Sequence, residues 1–516
     1  MPHPARRFAG LLLTALVIGS TVSVTTPAAA APPSPPPGGI PVPTVSAPLP
    51  VTADSYPFGA ADHQLRPQDL RKDQYVEEEY LVSGKANVYT WPGPGPAEIR
   101  TADAPYTTRV LVRRPDNGKR FSGNVVVEML NPSNRFDLNI GWAVAQRQII
   151  ANGDAWVGIT AKPISVDALK TFDPQRYAPL SFANPLPSDD PANCQAVATD
   201  SSRSTENGLA WDIYSQVGTW LRSDAPTNPL RYAKNRSQVT KAYGFGYSQT
   251  GGYLVNYING IHPRVVAAQG KPVYDAYIVA VAGGAFVGAV PMNQCEAAPP
   301  VDDPRRQFSN VGVPIMRIMS QSDYLIGIAS RRPDSDAPGD QYRHYEMAGA
   351  GHATPDELYY SAAPDDIVQA GRDVPPLSCN EGPRSRFPSA IFFDAALRNM
   401  DAWVRRGIAP PRAEPIRVEN GAPVLDRFGN VQGGLRSPYL DVPTSTWNGT
   451  ATGASFCFIA GWEKPFDQAT LKDLYRNQGN YLRQVRQDVD RLVDQRFLTR
   501  EDGRWLIKEA TKVKVC

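Results

Sequence analysis

After residue 100 the chain alternates short apolar runs with longer amphipathic ones, and this alternation restricts the fold more than any other feature. RVLVRRP (109–115) and NVVVEML (124–130) have the β-branched, apolar character of strands, the second bounded by Gly123 and Pro132. GWAVAQRQIIANG (141–153) has helical spacing and stops at a glycine, and DAWVGITAK (154–162) returns to a strand. A strand, helix, strand order predicts a parallel sheet with crossover helices. The pattern resumes with a helix at 208–222, strands at 239–248, 274–283, 313–320 and 341–348, and a long helix at 387–407. Two stretches interrupt it. Residues 163–204, rich in Pro, Asp, Asn and Ser, and residues 284–312 read as irregular, lid-like insertions.

The ends of the chain have a different character. Arg6 and Arg7 precede an apolar run ending near Ile18 and a small-residue stretch, Pro27 to Ala31. That pattern predicts a signal peptide over 1–31, cleaved near Ala31, and therefore a secreted, extracellular protein. The apolar run is too short for stable membrane insertion. Two adjacent arginines occur in many basic leader segments, so the export route stays open. Residues 32–55 are mostly Pro, Ala, Gly and Ser and predict an extended, disordered leader, with order beginning near Tyr56. Lys plus Arg, 53, exceed Asp plus Glu, 51, by the two arginines of the leader. A mature surface near neutrality argues against nucleic acid as a partner. Five cysteines, Cys194, Cys295, Cys379, Cys457 and Cys516, predict two disulfides and one free thiol in an oxidising compartment, with the pairing open. There is no CxxC or HExxH spacing, so a zinc site is not expected.

The chemistry centres on GFGYSQTGG (244–252). A buried strand ends at Tyr247 and a helix begins near Gln249, which forces Ser248 into a tight turn with its hydroxyl raised beside a helix N-terminus. Gly246 and Gly251 fall where a crowded backbone excludes side chains. Thr250 occupies the place where the G-x-S-x-G form has its last glycine. The plainer alternative is a glycine-rich bend that holds a phosphate or nothing. A nucleophile needs a base, and His352 in AGAGHATPDE follows the last strand directly, whereas His63, His262 and His344 are poorly positioned. Asp323, in SQSDYL after the 313–320 strand, suits the role of orienting acid; Glu346 and Asp356 are weaker candidates. The order Ser, Asp, His is that of the α/β-hydrolase sheet, with each residue at a predicted strand's C-terminal end. The oxyanion hole calls for the Gln249 N–H and a donor from NPSNRFD, either the backbone or amide of Asn131 or the N–H of Ser133; the same loop also reads as a plain strand-ending turn.

These residues resemble the bacterial exported α/β-hydrolase domain proteins that carry a G-x-S-Q-[ST]-G motif. VVVEMLNPS, GLAWDIYSQVGTWLR, MDAWVRRGIAPP (400–411), FGNVQGGLRSPYLDVP (428–443) and FCFIAGWEKPFD (456–467) carry the resemblance, which covers most of the chain from Tyr56 onward. It implies an α/β-hydrolase fold over 56–410, with the insertions at 163–204 and 284–312, and a C-terminal extension over 411–516 packed on it. It also implies carboxylic ester hydrolysis by Ser248, Asp323 and His352. The extension is expected to carry one docking helix at 471–498. A Cys457–Cys516 bridge would staple it, or Cys516 is a free end.

The functional expectation is a secreted serine esterase that acts through an acyl-enzyme on a small-molecule or polymeric ester, a hydrolysis that calls for no cofactor. The alternatives are an amidase or peptidase with the same triad, and a non-catalytic exported binding protein on the same fold.

Overall fold

The computed structural model describes residues 39–194, 202–232, 237–282, 288–308, 311–324 and 331–515, all within one compact unit. The expected signal peptide and Cys516 lie outside the described residues.

The anticipated alternation forms a ten-stranded sheet in the order β1-β2-β3-β5-β4-β6-β7-β8-β10-β9. Its strands are β1 (Thr44–Val45), β2 (Tyr75–Thr90), β3 (Glu98–Pro115), β4 (Asn124–Met129), β5 (Ala155–Ile159), β6 (Lys241–Tyr247), β7 (Ala276–Ala280), β8 (Ile315–Ser320), β9 (Ser335–Ala337) and β10 (Asp340–Met347). The six central strands, β5 to β10 in that order, run parallel, and antiparallel strands flank them on both sides. Every residue of β4, β5, β7 and β8 is buried, as strands covered on both faces must be. The covering helices include α1 (Ile140–Asn152), α2 (Pro163–Phe172), α3 (Ala210–Arg222), α4 (Gln249–Asn256) and α5 (His262–Gln269). The closing helix Ala390–Arg406 packs against α1.

Several expectations need correction. The second half of the supposed disordered leader is ordered: β1 pairs with β2, and the N–H groups of Ser46 and Leu49 donate to Leu81 O and Glu79 O. Backbone pairing to a sheet edge does not require apolar side chains, so composition gave no signal for it. The 163–204 insertion opens with a helix, α2, because Pro163 sits at N1, where its missing N–H costs nothing, and Ile164, Val166, Leu169 and Phe172 are buried. The single docking helix at 471–498 is two, Gln468–Tyr475 and Gln478–Asp494. Arg476 at φ 63° breaks the run, and the Asn477 side chain caps the second helix through the N–H of Asn480 at 2.9 Å. Cys457 bonds to Cys379, not to Cys516, and Cys194 bonds to Cys295, which links the two insertions.

The C-terminal elements contact the sheet domain through specific polar groups. Arg147 of α1 bridges Asp394 at 3.0 Å and Asp502 at 2.9 Å, and Asn399 Nδ2 donates to Arg496 O at 2.9 Å.

The β2–β3 hairpin conceals a buried ionic cluster. Glu79, with a fully buried side chain, accepts from Arg109, Arg176 and the Tyr177 hydroxyl, and Arg109 also reaches Asp137 at 3.1 Å. Buried charges of this kind are tolerated only in mutual compensation. Glu79→Gln removes the carboxylate paired with Arg176 and one of the two paired with Arg109, and is expected to cost about 3–5 kcal/mol of stability. Denaturant unfolding measures this, and a loss below about 1 kcal/mol would contradict the assignment.

Candidate active site

The site is built where β6 meets α4. Ser248 joins them at φ 55°, ψ −120°, a left-handed conformation that a residue with a Cβ rarely adopts. Its N–H donates to Ala280 O at 3.0 Å and its carbonyl accepts from Gly252 N at 3.0 Å, so hydrogen bonds on both sides hold the turn. A Cβ on Gly246 would lie 2.3 Å from Thr250 O, and one on Gly251 would lie 2.5 Å from Ala282 Cβ. Both glycines are therefore required by close approach, as the sequence suggested. Thr250 is more than a tolerated replacement for glycine. Its buried hydroxyl lies 3.1 Å from both Tyr247 N and Tyr247 O, tying the end of the strand to the first turn of the helix.

His352 comes from the loop after β10. Its Nε2 lies 2.7 Å from Ser248 Oγ and its Nδ1 lies 2.6 Å from Asp323 Oδ1. Asp323 accepts only, so Nδ1 carries the proton and the Nε2 lone pair faces the serine hydroxyl. The other Asp323 oxygen accepts from Ser320 N at 3.0 Å and from the Ser320 hydroxyl. Burial by itself would make His352 less basic, but the charge and hydrogen bond of Asp323 outweigh it and hold the imidazole above its ordinary pKa. Glu357 adds to this from the short helix Asp356–Tyr359. Burial pushes its own carboxyl up to about 7, opposed by Arg384 at 3.3 Å.

The other titratable candidates are engaged elsewhere. Glu346 pairs with Arg331 and with His344 at 2.9 Å, and burial holds the Asp356 carboxyl above its ordinary pKa, opposed by the charges of Arg147 and Arg66. His262 bonds the Tyr277 hydroxyl at 2.8 Å, and His63 stacks on Tyr56. Among the described residues, no group of three His, Cys, Asp or Glu side chains is placed to hold a metal ion.

Of the expected oxyanion donors, Gln249 lies at the first position of α4, where a backbone N–H has no partner within the helix. The Asn131 expectation is corrected. Its N–H donates to Leu138 O, its Nδ2 donates to Tyr247 O at 2.7 Å, and its Oδ1 accepts the Ser133 N–H at 2.8 Å. Asn131 is fully buried and braces the loop after β4 against the end of β6, so the Ser133 N–H is committed as well. Ser133 Oγ lies 3.4 Å from Gln249 Oε1, which sets this loop at the first turn of α4.

Three supports escaped the sequence reading. The Tyr247 hydroxyl donates to His352 O at 2.6 Å. The His352 N–H is shared between Ser322 Oγ at 3.0 Å and Ile459 O at 2.8 Å, and Ala353 N also donates to Ile459 O. The Ser322 hydroxyl in turn donates to Gly449 O. The serines of MSQSD were the only local signal; the Ile459 carbonyl, more than 100 residues away in sequence, carried none.

Residues 45–508 match the family model described as "Alpha/beta hydrolase domain". No curated protein matches the chain. Among solved structures it is similar to a serine hydrolase without a lid from Xanthomonas campestris, at 14% identity over 56% of this chain and 91% of that one, TM-score 0.25. It is also similar to an alpha-beta serine hydrolase homologue from Coxiella burnetii (11% identity, 48% and 84% covered, TM-score 0.25). A third is an esterase from Pyrobaculum calidifontis (13% identity, 46% and 66% covered, TM-score 0.24).

Gly246→Ala would drive a methyl group into the Thr250 carbonyl and is expected to cost about 2 kcal/mol or more. It should also displace Ser248 from His352. Thermal unfolding and the rate of Ser248 modification check both effects, and a variant unchanged in both would contradict this account of the turn.

Proposed function

Because the chain belongs to the alpha/beta hydrolase domain family, matched over residues 45–508, we propose that it is a secreted serine esterase. The observation that carries this reading is the unbroken relay from Ser248 Oγ through His352 to Asp323, with links of 2.7 and 2.6 Å. As His352 Nε2 removes the hydroxyl proton, Ser248 Oγ bonds to the ester carbonyl carbon and the carbonyl oxygen takes up negative charge beside the Gln249 N–H. Asp323 stabilises the imidazolium. When the tetrahedral carbon collapses, its bond to the alcohol oxygen breaks, and His352 returns the proton to that oxygen. Water repeats the sequence on the acyl-enzyme, releasing the acid and restoring Ser248.

The disulfides Cys194–Cys295 and Cys379–Cys457 support an exported protein, since such bonds persist in oxidising compartments. Together with the Arg6–Arg7 leader pattern they carry the proposal of secretion, with 411–516 as an extension of the 56–410 hydrolase domain. The substrate pocket is proposed to lie under the insertions at 163–204 and 284–312, which the Cys194–Cys295 bond joins.

The test uses p-nitrophenyl esters of graded acyl length and a fluorophosphonate probe. Wild-type protein should turn over the esters and be labelled by the probe. Ser248→Ala should lose all labelling and at least about 1000-fold of kcat. Ester turnover that survives in a folded Ser248→Ala protein would refute the assignment. The pH profile supplies a separate check. The base must be neutral to accept a proton, and Asp323 holds His352 more basic than a free imidazole, so protonation removes activity as pH falls. The acidic limb of kcat/KM should therefore have its midpoint above about 6.5, the ordinary histidine value. A midpoint clearly below that value would mean that Asp323 does not stabilise the charged form.

A further inference from the structure

The loop that presents His352 is anchored from outside the sheet by one carbonyl. Ile459 O accepts the His352 N–H at 2.8 Å and the Ala353 N–H at 3.0 Å. Ser322 Oγ, which also accepts the His352 N–H, lies 3.2 Å from the same oxygen. The position of Ile459 therefore governs where the imidazole stands between Ser248 and Asp323.

Little apolar packing holds Ile459 in place. It ends the turn Ser455–Ile459, and its apolar contacts form a small cluster apart from the main core: Ala353, Ile459 and Ala460, with Cys379 and Phe456 packed against them. The chain entering the turn is exposed from Thr452 to Ser455, Ser455 stands at φ 55°, and Phe458 is 45% exposed. A segment with so few buried contacts opens at low cost unless something fastens it. The Cys379–Cys457 bond supplies that fastening two residues before Ile459, by tying the turn to the hairpin Ser378–Cys379 / Gly382–Pro383. Asn380 N donates to Thr452 O at 2.8 Å and Ser385 N to Gly461 O at 3.1 Å, so hydrogen bonds hold the two flanks and the disulfide holds the centre.

The two cysteines differ in exposure. Cys457 is fully buried, whereas Cys379 is half-buried on a hairpin whose Ser378, Asn380 and Pro383 are exposed. An incoming thiolate therefore meets the Cys379 side of the bond first.

We infer that the Cys379–Cys457 bond is a positioning element for His352, and that a dithiol reductant lowers hydrolysis by opening it. The inference rests on the Ser248 hydrolase reading. One thiolate of the reductant attacks the Cys379 sulfur, the S–S bond breaks, and Cys457 leaves as a thiolate that takes up a proton. The second thiolate then attacks the reductant's own sulfur in the mixed disulfide, and Cys379 leaves and is protonated in turn. Both cysteines end as thiols and the reductant as a cyclic disulfide. The turn at 455–459 loses its covalent tie, Ile459 O no longer fixes the His352 N–H, and the imidazole shifts relative to Ser248. A displacement of about 1 Å is enough to cost about 100-fold in rate.

The test uses the full chain carrying Cys194→Ser and Cys295→Ser, which leaves Cys379–Cys457 as the disulfide for dithiothreitol to open. Alkylation and mass spectrometry count the thiols released, and the reagent is removed before assay because it attacks p-nitrophenyl esters itself. Reduction should lower kcat for p-nitrophenyl acetate by about tenfold or more, leave KM within about twofold, and be reversed by reoxidation. Amide hydrogen exchange supplies a readout that needs no turnover. The peptide holding His352 and Ala353 should exchange about tenfold faster on reduction, while β4 and β6 stay unchanged. Unchanged kcat in the fully reduced protein overturns the inference, as does unchanged exchange at His352. Exchange that rises equally in β4 and β6 also overturns it, because the bond would then hold the whole fold. If the oxidised protein turns over no ester, the hydrolase reading fails by itself, and exchange at His352 still decides whether the bond positions that loop. If the Cys194→Ser/Cys295→Ser chain does not fold, the native chain and Cys379→Ser/Cys457→Ser are compared by the same two readouts and the same criteria.

Discussion

The site depends on holding one residue, Ser248, in a backbone conformation it would not adopt alone. At φ 55° and ψ −120° the serine is strained, and such strain persists only where the surroundings overdetermine it. Here the surroundings are specific: β6 is buried between β4 and β7, the Thr250 hydroxyl sits against the backbone of Tyr247, and Gly246 and Gly251 allow strand and helix to approach closely. The result is a hydroxyl directed at His352 and a helix N-terminus beside it. The sheet positions the remaining members by the same logic, with Asp323 and His352 on the loops that follow the parallel strands β8 and β10.

Parallel strands alone do not hold His352. Its backbone is held from outside the sheet, by the Ile459 carbonyl and by Ser322, whose hydroxyl rests on Gly449 O. These carbonyls belong to the C-terminal segment, and the Cys379–Cys457 bond ties the turn at 455–459 to the hairpin at 378–383. The segment after 411 therefore contributes to the geometry of the relay itself. Its docking is secured by polar contacts such as the Arg147 bridge to Asp394 and Asp502, which a hydrophobic pattern would not reveal.

How much was legible in the sequence follows from the range of the interactions. The parallel strands, the turn at Ser248 and the loops of Asp323 and His352 are specified by local pattern, β-branched runs followed by a loop residue of the right chemistry. The long β2–β3 hairpin was not, because EEEY reads as surface until Arg109, Arg113 and Arg114 are seen to pair with its acids across the sheet. Asn131 was misread for the same reason. Its position after β4 fits an oxyanion donor, and only the fold reveals that it is fully buried, with its backbone N–H and one Nδ2–H donated to Leu138 O and Tyr247 O. The disulfide pairing likewise needed three-dimensional proximity, with Cα atoms 5.5 and 5.6 Å apart across 101 and 78 residues of chain.

The central claim is that Ser248 forms a covalent acyl intermediate. Intact-protein mass spectrometry after rapid mixing with p-nitrophenyl acetate and acid quenching tests it most directly. The account predicts a transient mass increase of one acetyl group, released with time, that maps to the peptide containing Ser248. An ester that is consumed with no acylated species at Ser248, or with the acyl group on another residue, would contradict it.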